Sequence, residues 1–293
     1  MNLNDYKLWT AIVTPFNEDL TVDYQSFEHL LREQNEANNG ILVLGSTGEA
    51  LNITLEDRKK IIDFTLKLKL EAPIMIGVGG HNIVDTKSWV KYLNTKNIDC
   101  VLFVTPIYAK PGNIGQYNWF KTLMDLTNRP VMLYNVPERT GTSLSLEAVS
   151  KLKDHKNYWA IKEASGSVEH FKEYLKASDN KPVYCGDDGL FPDFALNGSH
   201  GLISVAANVW PKETHEYVSQ CLNKNFDHKD LWQEAAKSLF IASNPVPTKS
   251  ILAIEKRIKT NTMMPPLASA DLEDIAPVDK ANNNIKQWFK EQR

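Results

Sequence analysis

The chain has 293 residues, of which 42% are hydrophobic and 24% are charged. This composition is that of an ordinary globular protein and excludes disordered, collagen-like and coiled-coil classes. Lys and Arg total 33 against 36 for Asp and Glu, so the formal net charge is −3. Because nucleic acids require a dense positive surface, we expect no nucleic-acid partner.

The sequence predicts a cytoplasmic protein without a metal. Cys100, Cys185 and Cys221 lie far apart, so no pair has the spacing of a metal knuckle or a redox motif. The seven histidines are scattered as well, and none lies at a metal-ligand spacing from another. The first residues show no basic start followed by a long apolar run, so we expect no signal peptide, and no window approaches the about 18 apolar residues of a membrane span. We therefore expect neither secretion nor a membrane partner.

Eight short apolar runs rich in β-branched residues alternate with longer segments of helical period. Asp23 and Thr54 are predicted to cap the first two helices. The runs predict strands at residues 8–16, 40–46, 73–79, 100–106, 130–136, 159–165, 182–187 and 201–207. Three further helices are predicted after the eighth unit, at residues 231–240, 250–259 and 281–292.

Strand and helix repeated eight times favour an α/β fold that closes into a (β/α)8 TIM barrel. An open doubly wound sheet is the alternative, but the first strand is not followed by the glycine-rich turn of a dinucleotide site. We predict a barrel domain at residues 1–225 and a C-terminal helical appendage at residues 226–293.

Lys162 is the strongest candidate for a catalytic residue, because it lies near the C-terminal end of a predicted strand. The reactive groups of a parallel barrel gather at these strand ends. Lys162 follows the apolar residues 159–161, and burial there disfavours the ammonium form and lowers the pKa. A partly neutral lysine can form a Schiff base with a ketone. The alternative is an ion pair with Glu163 or another carboxylate, although strand alternation points Glu163 to the opposite face.

Other polar groups end neighbouring strands. Tyr134 could relay protons, or it could be a core tyrosine bonded to a carbonyl. Ser46 and Thr47 lie in a glycine-flanked turn that suits a small carboxylate, although such hydroxyls also cap turns and helices. Arg139 could bind a carboxylate through two hydrogen bonds, or it could be an ordinary surface arginine.

Together these residues resemble the pyruvate-dependent class I aldolases of the N-acetylneuraminate lyase and dihydrodipicolinate synthase family. The resemblance runs from about Trp9 to the C-terminal helices. Gly-Ser-Thr-Gly-Glu at residues 45–49 is similar to the pyruvate-carboxylate loop of that family. Tyr134 matches its proton-relay tyrosine, and Lys162 matches its Schiff-base lysine.

Tyr-Asn-Val-Pro-Glu-Arg-Thr-Gly at residues 134–141 resembles the signature of the synthase branch. That resemblance implies condensation of pyruvate with L-aspartate 4-semialdehyde to 4-hydroxy-tetrahydrodipicolinate, in lysine and diaminopimelate biosynthesis. It also implies that Thr47 holds the pyruvate carboxylate, that Arg139 holds the carboxylate of the semialdehyde, and that Gly186 and Ile203 line the pyruvate pocket through backbone groups. No cofactor is implied, because the lysine itself supplies the electron sink.

Two positions depart from the synthase pattern. Ser46 stands where synthases usually carry threonine, which keeps a hydroxyl but loses the methyl that restrains its rotamer. Ile107 stands where many have the first of two tyrosines, and Tyr108 matches the second. In the family that second tyrosine enters the neighbouring subunit's site and completes the proton relay. The resemblance therefore implies at least a dimer, and a homotetramer built as a dimer of dimers.

Inhibition by L-lysine is expected to be weak or absent. Leu55 replaces a polar contact of the family's lysine site, Ile107 replaces an aromatic one, and Arg58 adds a charge of the same sign as the ligand. The positions that match this site are Ala50, Leu55, Arg58, His81, Asp85 and Ile107.

Two alternative functions are left open. The first is an N-acetylneuraminate lyase or a 2-keto-3-deoxy sugar acid aldolase, although Arg139 suits an aldehyde that carries a carboxylate. The second is a barrel that binds ligands without catalysis. The presence of Lys162, Tyr134 and a hydroxyl at Ser46 argues against the second alternative.

Overall fold

A computed structural model describes residues 2–292, in which eight parallel strands form a closed barrel surrounded by helices. Each strand pairs with the next, and the first pairs with the eighth. The strands are β1 (Leu8–Ala11), β2 (Gly40–Val43), β3 (Ile74–Val78), β4 (Cys100–Val104), β5 (Val131–Asn135), β6 (Tyr158–Glu163), β7 (Val183–Cys185) and β8 (Leu202–Ser204). The predicted TIM barrel is confirmed.

Twelve α-helices, counted over the described residues, cover the barrel and extend it at the C-terminus. They are α1 (Tyr24–Glu36), α2 (Leu55–Lys67), α3 (Ile83–Leu93), α4 (Asn113–Leu126), α5 (Pro137–Thr140), α6 (Leu146–Leu152), α7 (Val168–Ala177), α8 (Phe191–Leu196), α9 (Pro211–Leu222), α10 (Lys229–Ser238), α11 (Val246–Ile254) and α12 (Ala276–Glu291). The predicted caps are confirmed, since the Asp23 side chain accepts from the Ser26 amide and the Thr54 side chain from the Asp57 amide.

Strands β1 and β8 end earlier than the sequence predicts, because side chains take over the backbone hydrogen bonds at their mouth ends. After β1, the Val13 amide donates to Asn208 Oδ1 at 3.0 Å. After β8, the Val205 amide donates to Asp188 Oδ2 at 2.8 Å. The residues predicted to continue these strands therefore form the loops that carry the site.

The predicted starts of the last two helices, at residues 250 and 281, are wrong. Helix α11 begins at Val246 and α12 at Ala276. Pro247 lies in the first turn of α11, and Pro277 lies in the first turn of α12. A proline is tolerated there because the amide hydrogens of a first turn have no partner within the helix.

The apolar core has two parts. One fills the barrel interior, with Trp9 at one end and Tyr134 at the other. The larger one lies between the strands and the helices, and it continues past residue 225 to include Trp232, Ile251 and Trp288. The C-terminal helices thus share the core of the barrel, and the division at residue 225 stays a prediction.

Candidate active site

A cavity of about 810 Å³ opens at the C-terminal mouth of the barrel. Six of the predicted site residues line it together: Ser46, Thr47, Tyr134, Arg139, Lys162 and Gly186. A second cavity of about 310 Å³ adjoins it, and Ser46, Tyr134 and Arg139 line both. The sequence therefore predicted correctly which strand ends meet.

Lys162 lies inside the barrel, near the end of β6, with only 6% of its surface exposed. Its Nζ lies 4.4 Å from the ring centroid of Tyr134, because β5 and β6 pair these two residues. Burial lowers the pKa of Lys162 to about 8, and the positive charge of Arg139 also lowers it. About one tenth of this lysine is thus a neutral amine at pH 7.

The predicted alternative, an ion pair between Lys162 and Glu163, is absent from residues 2–292. Glu163 points to the other face of β6, where its Oε2 accepts from Asn135 Nδ2 at 2.6 Å and its Oε1 from the Ser165 amide at 2.8 Å. The buried carboxylate of Asp188 exerts the attraction that favours the charged form of Lys162. Strand alternation accounts for this separation of the two side chains.

Tyr134 presents its ring to both cavities. Burial raises its pKa to about 12, so the phenol keeps its proton at neutral pH and can donate it. No carbonyl among the described residues accepts a hydrogen bond from its hydroxyl. The phenols of Tyr174 and Tyr184, in contrast, donate to the carbonyls of Leu144 and Tyr6. The core-packing alternative for Tyr134 therefore lacks its expected partner.

The loop that follows β2 presents two hydroxyls. Ser46 is exposed at the mouth, whereas Thr47 is 3% exposed. Thr47 Oγ1 accepts from Asn244 Nδ2 at 3.0 Å, which leaves the hydroxyl proton of Thr47 free to donate to an anion. Among the described residues neither hydroxyl caps a turn or a helix.

A buried ion pair fixes this loop, and the sequence analysis missed it. Glu49 Oε1 lies 2.8 Å from Lys249 Nζ, and both side chains are fully buried. The other carboxylate oxygen of Glu49 accepts from the Met264 amide at 2.7 Å. One available signal was a lysine at position 249 within the apolar residues of α11. The pair ties the loop of Thr47 to the C-terminal helices.

Gly186 is required by the position of Lys162. A Cβ at residue 186 would lie 2.7 Å from Lys162 Cε and 2.8 Å from Ala164 Cβ.

Arg139 lies on the short helix α5, is exposed, and lines both cavities. A guanidinium in that place can bind a carboxylate of a ligand.

Two predicted site residues lie outside the cavities of their own chain. Tyr108 is 88% exposed and has a left-handed backbone with φ of 64°. Ile203 is fully buried in the barrel interior, and on the eighth strand's side the cavity is lined by Val205 instead. The structure therefore does not bring these two side chains to the other six.

The C-terminal helices supply one wall of the larger cavity, which the sequence analysis did not predict. Gln233, Lys237 and Phe240 line it from α10 and the turn that follows. Trp232 Nε1 donates to the Asp188 carbonyl at 2.8 Å, and Gln233 Nε2 donates to the Gly189 carbonyl at 3.0 Å. Helix α10 thereby holds the loop after β7 against the cavity.

Within residues 2–292 no cluster of three or more His, Cys, Asp or Glu side chains could hold a metal ion. Over the same residues, no helix has both the length and the apolar character needed to cross a membrane.

Comparisons with known proteins identify the family of the chain. The model of the dihydrodipicolinate synthetase family matches residues 5–285. The 4-hydroxy-tetrahydrodipicolinate synthase of Francisella philomiragia subsp. philomiragia is 45% identical over 285 residues, which are 97% of this chain and 97% of the relative.

Two solved structures share the fold over nearly the whole chain. A monomeric variant of dihydrodipicolinate synthase superposes with a TM-score of 0.90 at 29% identity, covering 96% of this chain and 97% of its own. The chloride-inhibited dihydrodipicolinate synthase of Acinetobacter baumannii, complexed with pyruvate, gives 0.88 at 31% identity, covering 96% and 99%.

The barrel, with a buried lysine beside a tyrosine at its mouth, defines an enzyme of the class I aldolase type, a lyase. The chain belongs to the dihydrodipicolinate synthetase family.

Proposed function

We propose that the protein condenses pyruvate with L-aspartate 4-semialdehyde to give 4-hydroxy-tetrahydrodipicolinate, as a step of lysine and diaminopimelate biosynthesis. The observation that carries the proposal is the buried Lys162, whose pKa is lowered to about 8, in one cavity with Tyr134 and Arg139. The family and the names of its relatives support the choice of reaction.

The pyruvate half of the reaction uses Lys162 and the loop after β2. The neutral amine of Lys162 attacks the keto carbon, and loss of water gives an iminium that withdraws electrons from the methyl group. The hydroxyl of Thr47 and nearby backbone amides hold the pyruvate carboxylate. Tyr134 takes part in removing a methyl proton, which leaves an enamine. By resemblance Gly186 and Ile203 contribute backbone groups to this pocket.

In the second half, the enamine carbon attacks the aldehyde of the semialdehyde. Arg139, exposed at the mouth, binds the carboxylate of that substrate. The amine of the semialdehyde then displaces Lys162 as the ring closes, and the free lysine is restored. Ser46 lines both cavities together with Tyr134 and passes protons between it and the solvent.

Tyr108 acts in the site of a neighbouring copy in this proposal. It follows β4, while the exposed apolar side chains Leu51 and Val84 follow the adjacent strands β2 and β3, which suits a contact between subunits. The resulting dimer pairs with a second one to form a homotetramer. Sedimentation at micromolar concentration tests this part, and a monomer that retains full activity would overturn it.

Weak or absent inhibition by L-lysine is part of the same proposal. Arg58 lies 5.4 Å from the ring of Trp89, and burial lowers its pKa without removing its charge. A cationic ligand beside Arg58 is therefore repelled. A tight, saturable loss of activity at low lysine concentration would contradict this expectation.

A coupled assay tests the reaction. Purified protein is incubated with pyruvate, aspartate semialdehyde and the downstream reductase, and NADPH consumption is followed. We expect consumption that requires both substrates and disappears in Lys162→Ala. If no NADPH is consumed but borohydride still traps pyruvate on Lys162, the Schiff-base chemistry stands and the assignment moves to a sialic acid or sugar-acid lyase.

A further inference from the structure

The larger cavity contains negative charges that the proposed mechanism does not use. Asp187 and Glu138 line it together with the cations Arg139 and Lys162. Both substrates of the proposed reaction carry a carboxylate, which the cations accommodate. The semialdehyde also carries an α-ammonium group, and none of the residues assigned so far binds it.

Asp187 is held rigidly at the end of β7, next to Gly186. Its Oδ1 accepts from the amides of Gly189 at 3.0 Å and Leu190 at 3.3 Å. Its own amide and carbonyl both contact Cys185 Sγ, at 3.4 and 3.1 Å. Its Oδ2 makes no hydrogen bond with any described residue. One oxygen therefore fixes the side chain, and the other remains available to a ligand in the cavity.

The surroundings of Asp187 favour a cationic ligand. Burial raises the pKa of Asp187, and the negative charge of Glu138 raises it further. A positive group beside the two carboxylates would relieve both effects. An ammonium can donate to the free oxygen while the backbone amides keep the other one in place.

We infer that Asp187 binds the α-ammonium group of the aldehyde substrate and so selects an amino-acid aldehyde over one without an amino group. The inference rests on the proposed function and deepens it. Arg139 binds the negative end of the semialdehyde and Asp187 binds its positive end, so two opposite charges orient one small molecule. Asp187 acts here as a specificity-determining residue.

The experiment compares two aldehydes on wild type and Asp187→Asn. The asparagine retains an oxygen for the Gly189 and Leu190 amides but loses the charge. Aspartate semialdehyde is the substrate, and succinic semialdehyde, which lacks only the amino group, is the competing ligand. We expect kcat/KM for aspartate semialdehyde to fall by about tenfold, the effect of one charged hydrogen bond. The inhibition constant of succinic semialdehyde should change by less than about twofold, because it makes no such bond.

Controls separate specificity from structure. Asp154→Asn removes an exposed carboxylate from the turn before β6, at the opposite end of the barrel, and should change neither constant. Asp187→Glu keeps the charge and should restore part of the preference. Borohydride trapping of pyruvate on Lys162 should proceed at the wild-type rate in Asp187→Asn, which shows that the pyruvate half of the site is intact.

Equal losses for both aldehydes, or a kcat/KM for aspartate semialdehyde that falls less than about threefold, would overturn the inference and leave Asp187 a structural role. The proposed function fails in a different way: wild type itself would then give no turnover with aspartate semialdehyde. The two failures are therefore distinguishable in one series of measurements.

Discussion

Replacing Lys249 by methionine should destabilise the protein strongly, because it leaves the Glu49 carboxylate buried and unpaired. Both side chains are 0% exposed, and their charged atoms are 2.8 Å apart. After the change, Glu49 keeps only its hydrogen bond from the Met264 amide. Breaking a buried pair of this kind costs about 3 to 5 kcal/mol in free energy of unfolding. For a chain of this size the melting temperature should fall by roughly 5 to 8 °C.

Urea unfolding followed by circular dichroism measures this loss, and two further variants make it specific. Lys280→Met removes an exposed partner of Glu234, 3.3 Å away, and should cost less than about 1 kcal/mol. Glu49→Gln combined with Lys249→Met removes both charges and should recover most of the stability. A loss below about 1 kcal/mol for Lys249→Met, or a double variant as unstable as the single one, would refute the reasoning.

Three further predictions concern the chemistry. With a pKa of about 8, Lys162 is about one tenth neutral at pH 7. Borohydride trapping of pyruvate should therefore accelerate nearly tenfold from pH 6 to 7 and level off above pH 8. A rise that continues unchanged to pH 10 contradicts the lowered pKa. Tyr134→Phe should reduce turnover by about 10² to 10⁴-fold, measured in the coupled assay with Tyr174→Phe as control, and a loss below tenfold would return Tyr134 to core packing. Gly186→Ala should slow trapping by about a hundredfold because the added Cβ displaces Lys162. Gly112→Ala is the control, because nothing lies within 4 Å of the new atom there. Wild-type trapping in Gly186→Ala would show that the crowding is relieved elsewhere.

Period and strand order were enough to predict the barrel and the meeting of its strand ends. The sequence placed Tyr134 and Lys162 at the ends of adjacent strands, and the parallel register of β5 and β6 pairs them. Ser46, Thr47 and Arg139 followed from the same rule, because loops after neighbouring parallel strands share one face of the barrel. These residues depend on local pattern, which a sequence displays.

The wall formed by α10 could not be predicted in the same way. Which face of a C-terminal helix contacts the mouth depends on how that helix packs, and no periodicity specifies it. The hydrogen bond from Trp232 to the Asp188 carbonyl joins residues 44 positions apart. The pairing of Lys249 with Glu49 joins residues 200 positions apart. In the sequence, Glu49 looks like an ordinary charge, and only the apolar neighbours of Lys249 indicate that this lysine is buried. That the two residues pair is visible only in three dimensions.

The covalent step on Lys162 is the central claim, and borohydride reduction in the presence of pyruvate tests it most directly. The trapped protein is digested, and the modified peptide is located by mass spectrometry. We expect a single adduct of one pyruvate on Lys162, and no adduct in a folded Lys162→Met variant. An adduct on another lysine, or none in wild type under conditions where the coupled assay shows turnover, would contradict the account.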